Sequence, residues 1–536
     1  MPAFTVVDRG TSPPRLSIPR VYNAAVDFVD RHLDEGRAAK VAFIDDATSL
    51  TYADLAAGVS RAGNALAALG VRPEERVLLV LLDTVAFPIL FFGAVKLGAV
   101  PVPVNTLLTA EDYDYLLRDS RARVLVVSAA VYDKLAPVLA DQPFLEHVVV
   151  DGQGAHREAT PGAGPVLALD ALLDQASPRL QAAPTTCDDV AFWLYTSGST
   201  GKFKGAVHLQ SDLVYTAELY AAAVLGIRED DRVFSAAKLF FAYGLGNAMT
   251  FPLHVGATAV LMAERPTVAA VRRRLVEHDP TIFCGVPTLF ASMLADASPE
   301  GLDTGRLLRV CTSAGEALPR DLGERWREHT GVDILDGLGS TELLHIFLSN
   351  RPGDIRYGTT GKVVPGYEVK LLDEQGGAVP AGGVGDLWVS GPSSAVCYWN
   401  KRELSRATFH GPWTKTGDHY LCDAEGYYVY QGRSDDMLKV GGIYVSPFEV
   451  EAALISHDAV LEAAVIAYAD EHALIKPKAL VVLKRLEEAS EALADELRAH
   501  VKARLAPYKY PRWVEFVREL PKTATGKIQR FKLRRG

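Results

Sequence analysis

The first 150 residues alternate short apolar runs with longer segments in which apolar residues recur at helical spacing. This spacing predicts a helix over Asn23–Leu33, on the outside of the domain, and apolar runs predict strands over Lys40–Ile44 and Ser49–Thr51. Thr51–Asp54 resembles a capped helix start, and the helix is expected to continue through Leu55–Leu69. Alternating strands and helices predict βαβ units and a mainly parallel sheet.

The most apolar stretch of the chain is Val77–Val104. Asp83, Pro88 and Lys96 interrupt it, so it is too broken to span a bilayer. We therefore predict a strand, a helix and a second strand in a buried α/β core.

The middle of the chain continues the same alternation. Apolar runs predict strands over Val190–Leu194 and Asp231–Ser235, with a helix over Gln210–Leu225 between them. Gly154–Pro184 is rich in glycine, proline and alanine, which favours a surface excursion.

The last hundred residues have a pattern of their own. Strands are predicted over Val460–Tyr468, Ala479–Leu483 and Val514–Val517, with a helix over Ala489–Leu505. The predicted fold is therefore α/β, with a large N-terminal domain of α/β subdomains and mainly parallel sheets. A small α+β C-terminal domain follows it.

Composition narrows the functional class. A chain of 536 residues is too long for one ordinary domain, and a hydrophobic content of 49% with 23% charged residues is typical of a soluble globular enzyme. The net charge of −10 argues against a general nucleic-acid binder, which needs a basic surface. The N-terminus lacks a secretory pattern.

The cysteine pattern argues against a structural zinc site. The five cysteines are scattered and form no Cys-x-x-Cys motif, which favours a reduced, cytoplasmic location. They are Cys187, Cys284, Cys311, Cys397 and Cys422.

A loop rich in glycine and hydroxyl residues follows the strand predicted at Val190–Leu194. Its segment, Tyr195–Gly205, reads Tyr-Thr-Ser-Gly-Ser-Thr-Gly-Lys-Phe-Lys-Gly. Glycines let a backbone approach an anion closely, and main-chain amides, hydroxyls and lysines can bind phosphate. Phe203 occupies the position where a P-loop needs a Mg²⁺-binding hydroxyl, so the segment is not a P-loop. A flexible surface loop is the alternative.

The segment Thr-Ser-Gly-Ser-Thr-Gly-x-x-Lys-Gly, from Thr196 to Gly205, resembles the signature loop of the adenylate-forming superfamily. That superfamily contains acyl-CoA ligases, peptide-synthetase adenylation domains and luciferases. The resemblance implies that the loop holds the β- and γ-phosphates of ATP. Phe203 replaces the usual proline, which removes no phosphate ligand. The implied ligands are Thr196, Ser197, Gly198, Ser199, Thr200, Gly201 and Lys204.

The resemblance implies further nucleotide contacts where predicted strands end in glycine turns. Glu342 is the expected Mg²⁺ ligand, because this hard cation prefers carboxylate oxygen beside a triphosphate. The alternatives are an exposed turn glutamate and, for the pair Asp418 and Arg433, a surface salt bridge. The implied contacts are Gly315, Glu316 and Ala317 along the adenine, Asp336 and Gly337 flanking it by main chain, Thr341 on phosphate, Asp418 on the ribose, and Arg433 on the ribose or α-phosphate.

An acyl pocket is implied by Lys238–Asn247, which mixes aromatic bulk with small residues. Ordinary core packing is the alternative for each aromatic residue, and a structural role is the alternative for His345. The residues assigned to the pocket are Lys238, Phe240, Ala242, Tyr243, Gly244, Gly339, His345 and Ile346.

The C-terminal domain is expected to carry two working faces. By resemblance, Asp435 is the hinge of a mobile domain, so the predicted domains are residues 1–435 and 436–536. Lys527, in the motif Thr-Gly-Lys, is implied as the catalytic lysine, with Thr196 and Glu342 as its catalytic partners. A cation about 4 Å from a developing charge is worth roughly 4 kcal/mol at an effective dielectric constant near 20. The face expected to bind coenzyme A contains Lys439, Gly441, Gly442 and Tyr444.

The resemblance is closest to bacterial benzoate–CoA ligases. It implies activation of benzoate by ATP and Mg²⁺ to benzoyl-AMP, then transfer to coenzyme A, in aromatic acid degradation. The alternatives are a hydroxybenzoate, an aminobenzoate or a medium-chain fatty acid, or a stand-alone adenylation domain that loads a carrier protein. The expected partners are a small aromatic acid and coenzyme A, without nucleic acid or membrane, for a cytoplasmic monomer or homodimer.

Overall fold

The computed structural model describes residues 4–152, 166–197, 203–296, 304–433, 438–440, 443–470, 475–505, 509–522 and 528–533. Within them the chain forms a mixed α/β fold. Its nine-stranded sheet is mainly parallel, one of its two five-stranded sheets is wholly parallel, and a smaller group of strands and helices begins at Leu438. The predicted fold class is confirmed.

One sheet has five strands, and each neighbouring pair is parallel. Its central strand Val124–Ser128 is buried along its whole length, as expected for a strand covered on both faces. The strand order is Val100–Pro103, Arg76–Val80, Val124–Ser128, His147–Asp151 and Val166–Ala168. The helices of this region are Tyr52–Ala68, Ala86–Leu97, Ala110–Ser120, Ala129–Leu135 and Leu169–Gln175, with a 3₁₀ turn at Ala136–Val138.

Local sequence signals in this region predict the structure well. The strand, helix and strand predicted within Val77–Val104 are present. The helix predicted to start near Thr51 has a capping box in which Thr51 and Asp54 satisfy each other's main-chain amides, at 3.1 and 3.2 Å.

Two expectations for this half of the chain need correction. The segment within Asn23–Leu33 is π-helical over Val26–Asp30 and α-helical over Arg31–Asp34, and it is largely buried rather than on the outside. The described part of Gly154–Pro184 contains an edge strand and a helix, so it is more than a surface excursion. Residues 153–165 lie outside the described residues.

The second sheet has nine strands and carries most of the predicted nucleotide site. Its six central strands are parallel, and antiparallel strands lie at both ends. The order is Lys362–Val363, Ile346–Ser349, Ile334–Gly339, Val310–Ser313, Ile282–Gly285, Arg232–Ser235, Thr258–Val260, Val41–Ile44 and Ser49–Thr51. Helices in the segments between these strands are Asp212–Thr216, Ala217–Leu225 (π), Ala242–Leu245, Gly246–Thr250 (π), Phe251–Val255, Val268–His278, Pro287–Ala295 and Arg320–Thr330.

Antiparallel sheets complete the large part of the chain. Val190–Ser197 and Phe203–Leu209 form a hairpin that is extended by Cys397–Tyr398. Five strands form another sheet: Glu368–Leu372, Val384–Ser390, Trp413–Cys422, Phe409–His410 and Tyr428–Arg433. The remaining elements are the strand pair Val6–Asp8 and Arg15–Ser17 and the helix Arg402–Thr408.

The chain from Leu438 onwards has its own hydrophobic core. Its strands are Leu438–Val440, Ile443–Val445, Val460–Ala469, Ile475–Leu483 and Trp513–Phe516, and its helices are Pro447–Ile455, Glu491–Arg504 and Arg530–Leu533, with a 3₁₀ turn at Leu486–Glu488. The boundary predicted at Asp435 lies outside the described residues and stays a prediction. None of the described helices has both the length and the apolar character needed to cross a membrane.

Candidate active site

The predicted phosphate loop connects two antiparallel strands. Tyr195 pairs with Gly205 and Thr196 pairs with Lys204, so Thr196 and Lys204 face each other at the base of the loop. Ser197 ends the first strand, and its side chain is not described. The residues between it and Phe203, which include Gly198, Ser199, Thr200 and Gly201, lie outside the described residues.

Side chains from distant elements hold both strands of this hairpin. The Tyr195 hydroxyl donates to Oδ2 of Asp119 at 2.7 Å, and the Tyr115 hydroxyl donates to the Phe203 carbonyl at 3.3 Å. Nε1 of Trp399 donates to the carbonyl of Asp119 at 2.8 Å. Tyr115 and Asp119 lie one turn apart on the helix Ala110–Ser120, so this helix contacts both strands of the hairpin. No sequence motif marks them.

Lys204 and Glu342 meet at the base of this hairpin. Nζ of Lys204 lies 3.1 Å from Oε1 of Glu342, and the Tyr398 hydroxyl donates to the same oxygen at 2.5 Å. Burial opposes ionisation of Glu342, but the charge of Lys204 and the hydrogen bond from Tyr398 outweigh it and hold the pKa of this carboxyl below its usual value. Glu342 is thus an ionised carboxylate that Lys204 and Tyr398 hold in place.

Thr341 is positioned through its main chain. Nε2 of His208 donates to the Thr341 carbonyl at 2.8 Å, and the other ring nitrogen of His208 contacts Asp212 at 2.9 Å. This contact ties the Thr341–Glu342 turn to the second strand of the hairpin.

The donor set suits a magnesium ion that a nucleotide brings with it. Among the described residues, no group of three or more histidine, cysteine, aspartate or glutamate side chains could hold a metal alone. Mg²⁺ commonly binds through one or two carboxylates together with substrate phosphates. Glu342, ionised beside the hairpin, fits that pattern.

Two neighbouring strand ends form the predicted adenine wall. Gly315 follows the strand Val310–Ser313 with a φ of +92°, and Glu316 and Ala317 come next. Asp336 and Gly337 lie within the adjacent strand Ile334–Gly339. Burial raises the pKa of Asp336 well above its usual range, and its Oδ1 makes no hydrogen bond within the described residues. The wall therefore contains a buried carboxyl group with one oxygen that is unpartnered in the described part of the chain.

Asp418 and Arg433 face each other on adjacent strands. Nη1 of Arg433 donates to Oδ1 of Asp418 at 3.0 Å. The Asp418 carboxylate raises the pKa of the Arg433 guanidinium. Asp418 and Arg433 therefore form an ion pair. It is not the surface salt bridge named as the alternative, because the Asp418 carboxylate is only 8% exposed.

His345 occupies a buried aromatic cluster. Its ring centroid lies 5.3 Å from that of Tyr220, 5.7 Å from that of Tyr243 and 4.4 Å from that of Phe251. Nε2 of His345 donates to the Tyr243 carbonyl at 3.3 Å. Burial lowers the pKa of His345 to about 3, so the imidazole is neutral at ordinary pH. Tyr220 and Phe251 were not predicted, because neither belongs to a recognised motif.

Two glycines allow this arrangement. A Cβ atom on Gly246 would lie 2.4 Å from Cδ2 of His345, and one on Gly339 would lie 2.6 Å from the His345 carbonyl oxygen. Gly246 also begins a π-helical turn, a feature frequent at functional sites. Any larger residue would displace His345 or its main chain.

The other predicted pocket residues are close in sequence to members of this cluster. Phe240 is buried, and Ala242, Tyr243 and Gly244 form the short helix that leads to Gly246. The Tyr243 hydroxyl lies 2.6 Å from Oγ1 of Thr312, and Ile346 packs against Gly337.

Lys238 directs its amine to another segment. Nζ donates to the carbonyls of Met262 and Glu264, the latter at 2.7 Å, and lies 3.9 Å from Asp83. Burial lowers the pKa of Lys238 and raises that of Asp83 to about 6. Its assignment to the acyl pocket stays a prediction.

The C-terminal site residues are only partly described. Lys439 and Tyr444 are paired in a short hairpin, and their side chains are not described. Gly441, Gly442, Asp435 and Lys527 lie outside the described residues. The residue after Lys527 is described: the amide of Ile528 donates to Oε1 of Glu316 at 3.1 Å.

Comparison with protein families identifies this arrangement. The model of the AMP-binding enzyme matches residues 30–399, and the model of the AMP-binding enzyme C-terminal domain matches residues 449–527. The chain belongs to the AMP-binding enzyme family. In this AMP-binding enzyme the hairpin, Glu342 and the adenine wall all lie within the first match, and Lys527 is the last residue of the second.

Individual relatives match almost the whole chain. The benzoate–CoA ligase of Thauera aromatica is 61% identical over 537 residues, and the match covers 100% of both chains. The 4-hydroxybenzoate–CoA/benzoate–CoA ligase of Rhodopseudomonas palustris is 50% identical over 516 residues, covering 96% of this chain and 94% of that one. A crystal structure of a benzoate CoA ligase from Burkholderia xenovorans matches with a TM-score of 0.87 and 56% identity, covering 96% of this chain and 100% of that one.

Proposed function

We propose that this AMP-binding enzyme activates benzoate with ATP and transfers the benzoyl group to coenzyme A. The products are benzoyl-CoA, AMP and pyrophosphate. The observation that carries the proposal is that one turn joins Glu342 to His345, so the carboxylate expected to bind Mg²⁺ adjoins the aromatic cluster. The identity of 61% over full length with a benzoate–CoA ligase supports the same conclusion.

The first half-reaction requires positioning rather than a protein nucleophile. An oxygen of the benzoate carboxylate attacks the α-phosphorus of ATP, and pyrophosphate leaves. Lys204 and the loop hydroxyls neutralise and hold the leaving phosphates, and Asp418 accepts hydrogen bonds from the ribose. Mg²⁺ held by Glu342 supplies charge neutralisation when it is bound. Lys527 bridges the carboxylate and phosphate oxygens.

The second half-reaction is acyl transfer. The coenzyme A thiol attacks the carbonyl carbon of benzoyl-AMP, and AMP leaves. The hairpin that contains Lys439 and Tyr444 provides the face for the pantetheine arm, with Gly441 and Gly442 allowing close approach. The C-terminal domain turns about Asp435 to exchange this face for Lys527.

Benzoate is the acid that we propose. The cluster around His345 is aromatic, and the Tyr243 hydroxyl and Oγ1 of Thr312 already bond each other at 2.6 Å. The neutral His345 also lacks the charge that would select an ionised substituent. The 61% identity with a benzoate–CoA ligase supports benzoate ahead of hydroxy- and aminobenzoates and of a medium-chain fatty acid.

A panel of acids tests the proposal directly. The purified protein is incubated with ATP, Mg²⁺ and coenzyme A, and AMP, ADP and thioester are measured for benzoate, 4-hydroxybenzoate, 2-aminobenzoate and octanoate. Benzoate should give the highest kcat/KM, with AMP and benzoyl-CoA formed in equal amounts. ADP formation would refute the proposal. Turnover with a carrier-protein thiol but not with coenzyme A would favour a stand-alone adenylation domain.

The co-substrates support a proposed cellular location and metabolic role. We propose a cytoplasmic enzyme of aromatic acid degradation, because ATP and coenzyme A are its co-substrates. A monomer or homodimer stays a prediction, which sedimentation velocity would test.

A further inference from the structure

Tyr398 joins the two charged groups at the base of the phosphate hairpin. It ends the short strand Cys397–Tyr398 and is 2% exposed. Its hydroxyl accepts a hydrogen bond from Nζ of Lys204 at 2.8 Å and donates one to Oε1 of Glu342 at 2.5 Å. We infer that Tyr398 is a positioning residue that orients Glu342 for Mg²⁺ and Lys204 for the nucleotide phosphates.

The chemistry of Lys204, Tyr398 and Glu342 determines which group donates each hydrogen bond. An ammonium group only donates and an ionised carboxylate only accepts, whereas a phenol hydroxyl does both. Tyr398 can therefore hold the cation and the anion at the same time. Nζ of Lys204 also lies 4.3 Å from the centroid of the Tyr398 ring, within the range of a cation–π contact.

The position of the bonds on Glu342 matters for a metal. Lys204 and Tyr398 both contact Oε1, which leaves the second carboxylate oxygen as the one presented to a cation. The inference rests on the proposed function, in which Lys204 turns its charge to phosphate. Tyr398 then remains as the neutral donor that keeps the Glu342 carboxylate in place.

Packing alone does not account for this hydroxyl. The ring of Tyr398 packs with Ala206 and Ala395, and its centroid lies 5.2 Å from that of Phe409. A phenylalanine at this position would keep those contacts and remove only the hydroxyl. Tyr398→Phe thus separates the positioning role from the core.

The matched control is Tyr52→Phe. Tyr52 is fully buried, and its hydroxyl donates to the Ala257 carbonyl at 2.7 Å. This substitution also removes one buried hydroxyl, at a position outside the proposed site. Both variants should unfold at similar temperatures if the two hydroxyls contribute similarly to stability.

The test is nucleotide binding by calorimetry, with and without metal. For wild type and both variants, the Kd of ATP is measured with excess Mg²⁺ and again with EDTA. Tyr398→Phe should reduce the affinity gained from Mg²⁺ by about tenfold, as expected for loss of a partner of a metal ligand. Tyr52→Phe should keep the wild-type gain.

Activity provides a second readout. The concentration of Mg²⁺ that gives half-maximal benzoyl-AMP formation should rise by about tenfold in Tyr398→Phe, while the KM for coenzyme A stays unchanged. If Mg²⁺ increases the affinity for ATP as much in Tyr398→Phe as in wild type, the inference is wrong, whatever the stability of the variant. If the wild-type protein binds Mg²⁺ and ATP but forms no AMP with benzoate, the proposed function is wrong. The comparison of Mg²⁺-dependent ATP affinity between wild type and the variants would still be valid.

Discussion

The main-chain amide of Ile528 donates a hydrogen bond to Oε1 of Glu316, with 3.1 Å between nitrogen and oxygen. Glu316 belongs to the predicted adenine wall, and Ile528 directly follows Lys527 in the chain. This bond places Ile528 beside the predicted adenine wall. Glu316 therefore has a partner in the C-terminal region as well as a predicted place along the adenine.

Glu316→Ala should slow benzoyl-AMP formation selectively. Loss of a hydrogen bond to a charged group, worth about 1.5 kcal/mol or more, corresponds to roughly a tenfold lower rate. Thioester formation from preformed benzoyl-AMP should change little, because that step does not use the Lys527 face. Rapid-quench assays of the separate steps measure both rates. Equal losses in the two steps would instead indicate an adenine contact only.

The control for this substitution is Glu324→Ala. Glu324 lies on the nearby helix Arg320–Thr330, where it pairs with Arg320 at 3.0 Å. Its removal should leave both half-reactions at the wild-type rate.

Lys527→Ala should nearly abolish the first half-reaction. The loss of a cation near the reacting phosphate, worth roughly 4 kcal/mol, corresponds to about a thousandfold in rate. Thioester formation from preformed benzoyl-AMP should be mostly retained. Gly442→Trp should show the reverse pattern, because a bulky side chain would block the proposed pantetheine face. Similar damage to both steps in both variants would contradict the use of two faces.

Short-range features of this fold could be predicted from sequence because neighbouring residues determine them. The helix start at Thr51 is an example, since its cap is completed by Asp54 three residues later. The burial of the segment within Asn23–Leu33 could not be predicted in this way. Its polar groups are satisfied by distant partners, such as Nε2 of His32 on the Leu253 carbonyl at 2.6 Å.

The candidate site likewise combines residues that a local motif predicts with contacts between distant residues that it does not. The motif positions of Lys204 and Glu342 are evident in the sequence, but their contact through Tyr398 joins residues 194 and 56 positions apart. Asp119 reaches Tyr195 across 76 positions. Such contacts depend on how the sheets pack, and no local pattern of apolar and polar residues encodes them.

Gly246→Ala should impair recognition of the acid. The new Cβ would lie 2.4 Å from Cδ2 of His345, a distance that forces the imidazole to move. We expect kcat/KM for benzoate to fall at least about tenfold, in line with a disrupted well-packed pocket, while the Kd of ATP stays unchanged. If the clash with His345 is the main cause, Gly246→Ala should cost less in a His345→Ala background, where the remaining close contact is Cζ of Phe251 at 2.8 Å. Full additivity of the two substitutions would argue against it.

Acidification should remove the stability that the neutral His345 contributes. Its pKa is about 3 in the folded protein and about 6.5 when unfolded, so between these values the unfolded chain binds the extra proton. Stability from this group is present above pH 6.5 and decreases as the pH falls toward 3. At pH 5 the loss is about 2 kcal/mol, because each pKa unit corresponds to about 1.4 kcal/mol.

A comparison of wild type with His345→Gln isolates this effect. Buried Asp83 and half-buried Asp151 have pKa values raised to about 6, so they contribute in the opposite direction, but they do so in both proteins and cancel in the difference. The Tm advantage of wild type over His345→Gln should therefore shrink between pH 7.5 and pH 5 in thermal scans, by several degrees or less for a chain of this length. The matched control is His329→Gln, which removes an exposed imidazole on the helix Arg320–Thr330 rather than a buried one. A constant Tm difference for His345→Gln across this range would show that His345 is not held neutral by burial.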